Sequence, residues 1–178
     1  MTVFDAGSGS GRNLIYFMRA GYRVLATDAS ADSIGALRAS AGKYAPELPP
    51  ENFRVEPIEA MSFPDHIADV VISNAVLHFA RDDEHFWTML RGSWRVLRPG
   101  GLFFCRLAST IGSEHLLHPI GGRRYRLPDG SERYLVDEAL LLDATERLGG
   151  ELVDPLKTTL VHHQRSMTTW VLRKQTAG

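Results

Sequence analysis

The chain has 178 residues, 44% apolar and 23% charged, with a formal net charge of −1. This balance suits one globular domain with one core, and it lacks the positive field that gathers nucleic acid or anionic membrane, so neither is expected as a partner. The single cysteine, Cys105, excludes an internal disulfide framework and a thiolate zinc site, and no apolar run is long enough to span a bilayer, which together point to a cytoplasmic setting.

Short apolar runs rich in Val, Ile and Phe alternate with segments whose apolar residues recur every three or four positions, the pattern of a parallel α/β protein. Residues 2–6 form a buried-strand pattern, and 13–20 a helix with Leu14, Phe17 and Met18 on one face, stopped by Gly21. A second strand covers 22–27, after which Ser30 caps a helix that runs to Arg38 and buries Ile34 and Leu37. A proline-rich connection over 42–51 precedes a third strand at 53–58. In a fourth strand, 68–74, the unbroken Val70-Val71-Ile72 centre predicts burial on both faces and a central place in the sheet. Phe86, Met89, Leu90, Trp94 and Leu97 then mark an amphipathic helix over 82–97, closed by Arg98-Pro99-Gly100-Gly101 before a fifth strand at 102–107. Residues 108–133 have no clear period and hold the breakers Gly121-Gly122 and Pro128-Asp129-Gly130, so a long connection or lid is expected. Asp137 caps a helix that reaches Leu148 and ends at Gly149-Gly150. The tail offers strands at 151–161 and 166–173 whose link is too short for a crossover helix, so they should pair antiparallel at a sheet edge.

The most informative segment is Val3-Phe4-Asp5-Ala6-Gly7-Ser8-Gly9-Ser10-Gly11-Arg12-Asn13, an acidic strand end that passes through a glycine turn into a helix. Glycines leave no Cβ in a ligand's way, and the helix amino end presents unpaired N–H donors. In a dinucleotide fingerprint the third Gly stands three residues after the second; that position is Arg12, which counts against a nicotinamide-dependent oxidoreductase. No Lys-Ser or Lys-Thr pair follows, which excludes a phosphate loop of the Walker type. Asp28 ends the second strand 17 residues after Gly11, close to the spacing at which a carboxylate receives ribose hydroxyls. After the third strand, Glu59-Ala60-Met61 places a carboxylate that can accept from an exocyclic amine beside a side chain suited to a flat ring. Each acid alone also suits a helix cap or a solvated strand end, but their order together indicates adenosine held between neighbouring strands.

Asp5 to Gly11 resembles the first motif, acidic-x-Gly-x-Gly-x-Gly, of the class I S-adenosylmethionine-dependent methyltransferases. Asp28, Glu59-Ala60, Ala68 to Asn74 with Leu77-His78, and Leu97-Arg98-Pro99-Gly100-Gly101 are similar to that family's later motifs in their usual order, so the resemblance covers nearly the whole chain. It implies one Rossmann-like domain over 1–178, a seven-stranded, mostly parallel sheet with an antiparallel last strand and helices on both faces. The implied cofactor is S-adenosyl-L-methionine, leaving S-adenosyl-L-homocysteine, held by Asp5, Gly7, Ser8, Gly9, Gly11, Asp28, Ala29, Glu59, Ala60, Met61 and Asn74. Gly11-Arg12-Asn13 and the tail Thr158-Thr159-Leu160 with Arg165 to Thr169 look more loosely like the small-molecule enzymes of the tellurite-resistance and thiopurine type. Such enzymes usually carry a helix or two ahead of the first strand; here the strand begins at Thr2, which leaves either an upstream extension or an open cleft.

Methyl transfer from a sulfonium is a direct displacement, in which alignment and exclusion of water are worth roughly 7–11 kcal/mol. The carboxyl ends of the strands bring Asn74, His78 and Arg106 toward the acceptor. His78 has two readings, a base for a thiol, amine or hydroxyl or a loop residue capping the next helix. Arg124 and Arg126, in a basic cluster with Arg123 and Arg133, and Arg165 beside His162 and His163, either fold over the cleft to hold a small anionic or thiol-like acceptor or line a solvated loop. His162 and His163 are adjacent and diverge, so no metal is expected. A non-catalytic or regulatory cofactor-binding relative and a nicotinamide-dependent oxidoreductase are the rival classes, the neutral charge counts against an RNA-modifying role, and the methylated atom stays open among nitrogen, oxygen, sulfur and a metalloid.

Overall fold

The computed structural model describes residues 1–176. In chain order the main elements are β1 (Thr2–Ala6), α1 (Ile15–Arg19), β2 (Arg23–Asp28), α2 (Ala31–Tyr44), β3 (Phe53–Val55), β4 (Ala68–Asn74), α3 (Asp83–Val96) and β5 (Leu97–Ser109). They are followed by β6 (His118–Gly121), β7 (Arg124–Arg126), β8 (Glu132–Tyr134), α4 (Glu138–Arg147), β9 (Gly150–Leu152), β10 (Lys157–Val161) and β11 (Arg165–Lys174). The main sheet runs β10-β11-β5-β4-β1-β2-β3, with β9 also paired to β11. The β1–β2, β1–β4, β2–β3 and β4–β5 pairs are parallel, and β11 is antiparallel to β5, β9 and β10. No described helix is long and apolar enough to cross a membrane.

This is the expected Rossmann-like α/β architecture, with eight strands in place of seven. The extra strand arises because the expected 151–161 run is split: Pro155, which has no N–H to donate, separates β9 from β10. The terminal pair is antiparallel as expected, yet only β10 lies at the edge, since β11 inserts between β10 and β5.

Two cores lie on opposite faces of the sheet. Successive side chains of β1 divide between them: Val3 joins Leu14, Met18, Ile34 and Leu37 from α1 and α2, whereas Phe4 joins Phe86, Leu90 and Trp94 from α3 and Leu141 and Ala144 from α4. The central β4 does the same with Val71 and Ile72, which is why its sequence is apolar without alternation. The expected caps form: Ser30 accepts from the Ser33 N–H at 3.2 Å, and Asp137 from the Leu140 N–H at 2.8 Å.

Several boundaries differ. Helix α2 continues six residues past Arg38 because Ala41 is buried on the same face as Ile34 and Leu37. The third strand is only Phe53–Val55, and beyond Pro57 the chain makes a single 3₁₀ turn, Ile58–Ala60. Residues 108–133 hold more than a bare connection: β5 continues to Ser109, and β6-β7-β8 form a separate antiparallel sheet, with Gly121-Gly122 where β6 ends and Pro128-Asp129-Gly130 in the turn between β7 and β8. This insert is anchored to the body of the protein. Tyr134 stacks on Phe86 and donates its hydroxyl to Asp83 at 2.8 Å, while Arg123 reaches Asp137 at 2.8 Å.

Gly92 lies inside α3, where the helix crosses the turn that carries Glu59, and a Cβ there would press into the Ile58 carbonyl oxygen. An internal helix glycine changed to alanine normally stabilises by roughly 0.5–1 kcal/mol. Here Gly92→Ala is expected to destabilise by roughly 1–3 kcal/mol through overpacking. Chemical denaturation measures the sign, and a more stable variant would refute the close crossing.

Candidate active site

The glycine turn after β1 is bound to the tip of β2. Gly7 and Ser8 donate their N–H groups to the Thr27 carbonyl at 2.9 and 3.1 Å. Asp28 receives the Gly9 N–H at 2.8 Å on one carboxylate oxygen and the Ser30 N–H at 2.9 Å on the other. Gly7, Gly9 and Gly11 all have positive φ, at 84°, 52° and 82°. Their surroundings differ, because a Cβ would strike Val76 at Gly7 and Leu37 at Gly11 but would meet nothing at Gly9. Gly9 is thus the bare peptide of the turn, and it faces a hollow of about 540 Å³.

That hollow is lined from the carboxyl ends of β1, β2 and β4, the turn at Ile58 and the first two turns of α3. Of the residues singled out in the sequence, Gly7, Ser8, Gly9, Asp28, Ala29, Glu59 and Asn74 line it. Asp5 stands behind Asn13: the Asn74 side-chain amide donates to the Asn13 Oδ1, and the Asn13 amide donates to Asp5, both at 3.3 Å. The other carboxylate oxygen of Asp5 and the side-chain oxygen of Asn74 are buried with no donor. Burial drives the Asp5 pKa up to about 7, opposed by the Asn13 amide and helped by the nearby Asp28 charge. Besides Asp5, three expected residues do not line the hollow: Gly11 packs on Leu37, Ala60 is exposed, and Met61 turns into the core.

Sequence reasoning passed over Arg12, Asn13, Val76, Phe79, His85 and Met89 as lining residues. His85 and Met89 are four apart on α3, and this one-face spacing was the available signal. The His85 Nδ1 accepts from the Arg81 N–H at 3.2 Å, so its Nε2 carries the hydrogen toward Glu59 at 3.1 Å. One Glu59 oxygen is therefore oriented by the helix.

Beyond Asn74 the chain turns through Ala75 at φ 62°, a left-handed conformation costly for a residue with a Cβ. Ala75 and Phe79 border a second hollow of about 270 Å³, which Arg106, Arg133, Arg165 and His78 also line. His78 neither caps α3, which Asp82 does, nor stands in a solvated loop. It is buried, and its Nδ1 accepts the Ala108 N–H at 3.1 Å. Burial, reinforced by the charges of Arg133, Arg165 and Arg106, lowers its pKa to about 4. Arg124 and Arg126 reach neither hollow, because both pair with Glu132 on the neighbouring strand, at 3.4 and 2.8 Å. The cation that the insert sends to the second hollow is Arg133, whose guanidinium lies 4.7 Å from the centre of the Phe79 ring.

A parallel sheet whose strand tips present acids around a bare glycine peptide defines a nucleoside-binding α/β protein. The family model for the methyltransferase domain matches residues 4–105, more than half of the chain, and the chain belongs to that family. It is an S-adenosylmethionine-dependent methyltransferase, as the motif order implied. Solved structures with the same fold include 1,6-didemethyltoxoflavin-N1-methyltransferase from Burkholderia thailandensis, which holds 1,6-didemethyltoxoflavin and S-adenosylhomocysteine. It is 21% identical, with a TM-score of 0.74 and coverage of 98% of this chain and 71% of that one. A methyltransferase from Methanosarcina mazei matches at 19% identity and TM-score 0.77 over 99% of this chain and 93% of that one. TehB from Haemophilus influenzae matches at 18% and 0.72 over 98% of this chain and 57% of that one. At these identities the likeness establishes the fold.

The two buried groups pull stability in opposite directions. Asp5, raised from 3.8 to about 7, favours the folded state while protonated, so that contribution is complete below 3.8 and is lost as pH rises through 7. His78, lowered from 6.5 to about 4, favours the folded state while neutral, so its contribution is complete above 6.5 and is lost as pH falls toward 4. Asp5→Asn in the ligand-free protein is therefore expected to stabilise at pH 8, by on the order of 3 kcal/mol, and clearly less at pH 5. Urea denaturation at both pH values measures this, and an equal effect at the two would refute the raised pKa.

Proposed function

We propose that the larger hollow holds S-adenosylmethionine and that its methyl group passes to a small anionic acceptor in the adjoining hollow. The observation that carries this reading is the contrast across Ala75 and Phe79: Asp28 and Glu59, with Arg12, line one hollow and Asp5 backs it, whereas three guanidiniums and no carboxylate line the other. The residues present fit the cofactor. The unpaired buried oxygens of Asp5 and Asn74 suit an ammonium group, and the open face of Gly9 admits close approach. Asp28 and Ala29 would take the ribose, since a carboxylate already holding two N–H groups keeps lone pairs for hydroxyls. Glu59, oriented by His85, would take the adenine amine, with Ile58 and Met89 against the ring.

Bound S-adenosylmethionine supplies an electrophilic methyl group on a positively charged sulfur. The protein's part is to hold the acceptor in line and keep water out. Arg106, Arg133 and Arg165 would bind the acceptor, and the insert of residues 108–133, which contributes Leu127, Ser131 and Arg133, would form the outer wall of its site as part of one domain.

Calorimetric titration tests the assignment. S-adenosylhomocysteine is expected to bind and NAD is not, and Asp28→Ala is expected to weaken S-adenosylhomocysteine by roughly 10–100-fold through loss of charged hydrogen bonds. Preference for NAD, or an unchanged affinity in the Asp28 variant, would overturn it.

A further inference from the structure

The second hollow is cationic, small and without a base. Arg106 comes from β5, Arg133 from β8 and Arg165 from β11, and no carboxylate lines the space they share. The nearest acid in contact with these groups is Asp129, which accepts from the Ser131 N–H and lies 3.9 Å from Arg165. Ser131 also spends its hydroxyl hydrogen on Asp129. Neither Arg106 nor Arg133 forms an ion pair with any carboxylate among the described residues.

His78 does not supply the missing base. A neutral imidazole carries one hydrogen, and with Nδ1 accepting from Ala108 that hydrogen is on Nε2. Nε2 is thereby a donor. Protonation at Nδ1 would break the bond to Ala108 and add a fourth positive charge to a buried site. The arginines and the one histidine of this hollow thus all offer hydrogens. Size narrows the acceptor further: about 270 Å³ is below the roughly 300–1,000 Å³ of sites for drug-sized ligands, leaving little room for an anionic tail remote from the reacting atom.

We infer that the atom methylated is itself the ionised one: the acceptor is a small acid whose conjugate base, a thiolate or a carboxylate, is the nucleophile, and His78 is a hydrogen-bond donor that orients it. The inference rests on the larger hollow being the donor site. The guanidiniums keep the acid ionised, since opposite charge at close range lowers a carboxyl pKa by roughly 1–3 units. A lone pair of the anion forms the new bond to the methyl carbon as the carbon–sulfur bond breaks, and that bond's electron pair stays on sulfur. One cation and one anion become two neutral products, and no proton moves.

The experiment has a binding part and a transfer part. Without methyl donor, benzoate and 4-nitrobenzenethiolate are expected to bind at least about 10-fold more tightly than benzamide and aniline, and the double variant Arg106→Met, Arg165→Met to lose that preference. His78→Gln, which keeps a hydrogen donor near the Nε2 position, is expected to retain anion affinity that His78→Leu loses; a base role would not move this readout. Equal binding of anions and neutral isosteres, or equal affinity in the Gln and Leu variants, overturns the inference. With labelled methyl donor, 4-aminobenzoate and 4-mercaptobenzoate separate the sources, because the label should appear on carboxylate oxygen or thiolate sulfur. Label on the amine nitrogen overturns it, as does no transfer to either compound while S-adenosylhomocysteine still binds. Failure to bind S-adenosylhomocysteine at all instead sinks the donor-site reading beneath it.

Discussion

One carboxylate at the tip of β2 holds the cleft together. Asp28 grips the Gly9 N–H from one side and the Ser30 N–H from the other, and the preceding carbonyl of Thr27 takes two more N–H groups from the same turn. A backbone that leaves a buried strand through three left-handed glycines strands its donors unless a neighbour accepts them. The second strand supplies those acceptors and aligns the start of α2 at the same time. The acid proposed to receive the ribose is therefore also a framework residue, so the proposed binding role and the folding of the turn share a single side chain. This explains why the first and second strands of the chain must be neighbours in register before a site exists.

Charge is sorted across the cleft by backbone geometry. Asp5, Asp28 and Glu59 belong to the first three strand exits, and Arg106, Arg133 and Arg165 to β5, β8 and β11. Between the two groups stands Ala75 in its left-handed conformation, which redirects the chain so that Asn74 faces one hollow and His78 the other. Both extremes carry a titratable group held in its uncharged state by burial, a protonated carboxyl behind the glycine turn and a neutral imidazole beneath the arginines. Only the carboxyl is unfavourable for the free protein near neutral pH, since an imidazole is mostly neutral there in water as well, and such a departure is typical of places where a ligand is met.

The sheet was legible wherever apolar residues were unbroken or alternated over a full element. The centre of β4, the face of α3 and the caps Ser30 and Asp137 all follow from local rules and appear as expected. The acids around the larger hollow were legible because motif order on successive strands converts directly into adjacency at one sheet edge. The residues of the second hollow were not. Arg124, Arg126 and Arg133 alternate along an insert whose short strands carry no period strong enough to orient them, and pairing with Glu132 across the β7–β8 hairpin removed the first two from the cleft. The tautomer of His78 depends on the Ala108 N–H, thirty residues away in sequence, and no local pattern encodes it. Met61 follows the 3₁₀ turn at Ile58–Ala60 and packs into the core, a placement that the local sequence Glu59-Ala60-Met61 does not encode.

The position of β11 bears on how the molecule can be made. This strand spans Arg165–Lys174, yet it sits inside the sheet, with β5 on one flank and β9 and β10 on the other. While the polypeptide is still emerging, β9 and β10 have nothing to pair with, and the exposed flank of β5 is a raw edge open to foreign strands. Only when the later segment arrives can the half-finished layer close, so assembly waits on a contact of long sequence separation and is slow and cooperative. Trp170, wholly buried between Phe103 and the Thr145 hydroxyl, is the bolt that slides in at that moment. The arginine and histidine chamber is finished by the same event, because Arg165 rides on the incoming strand.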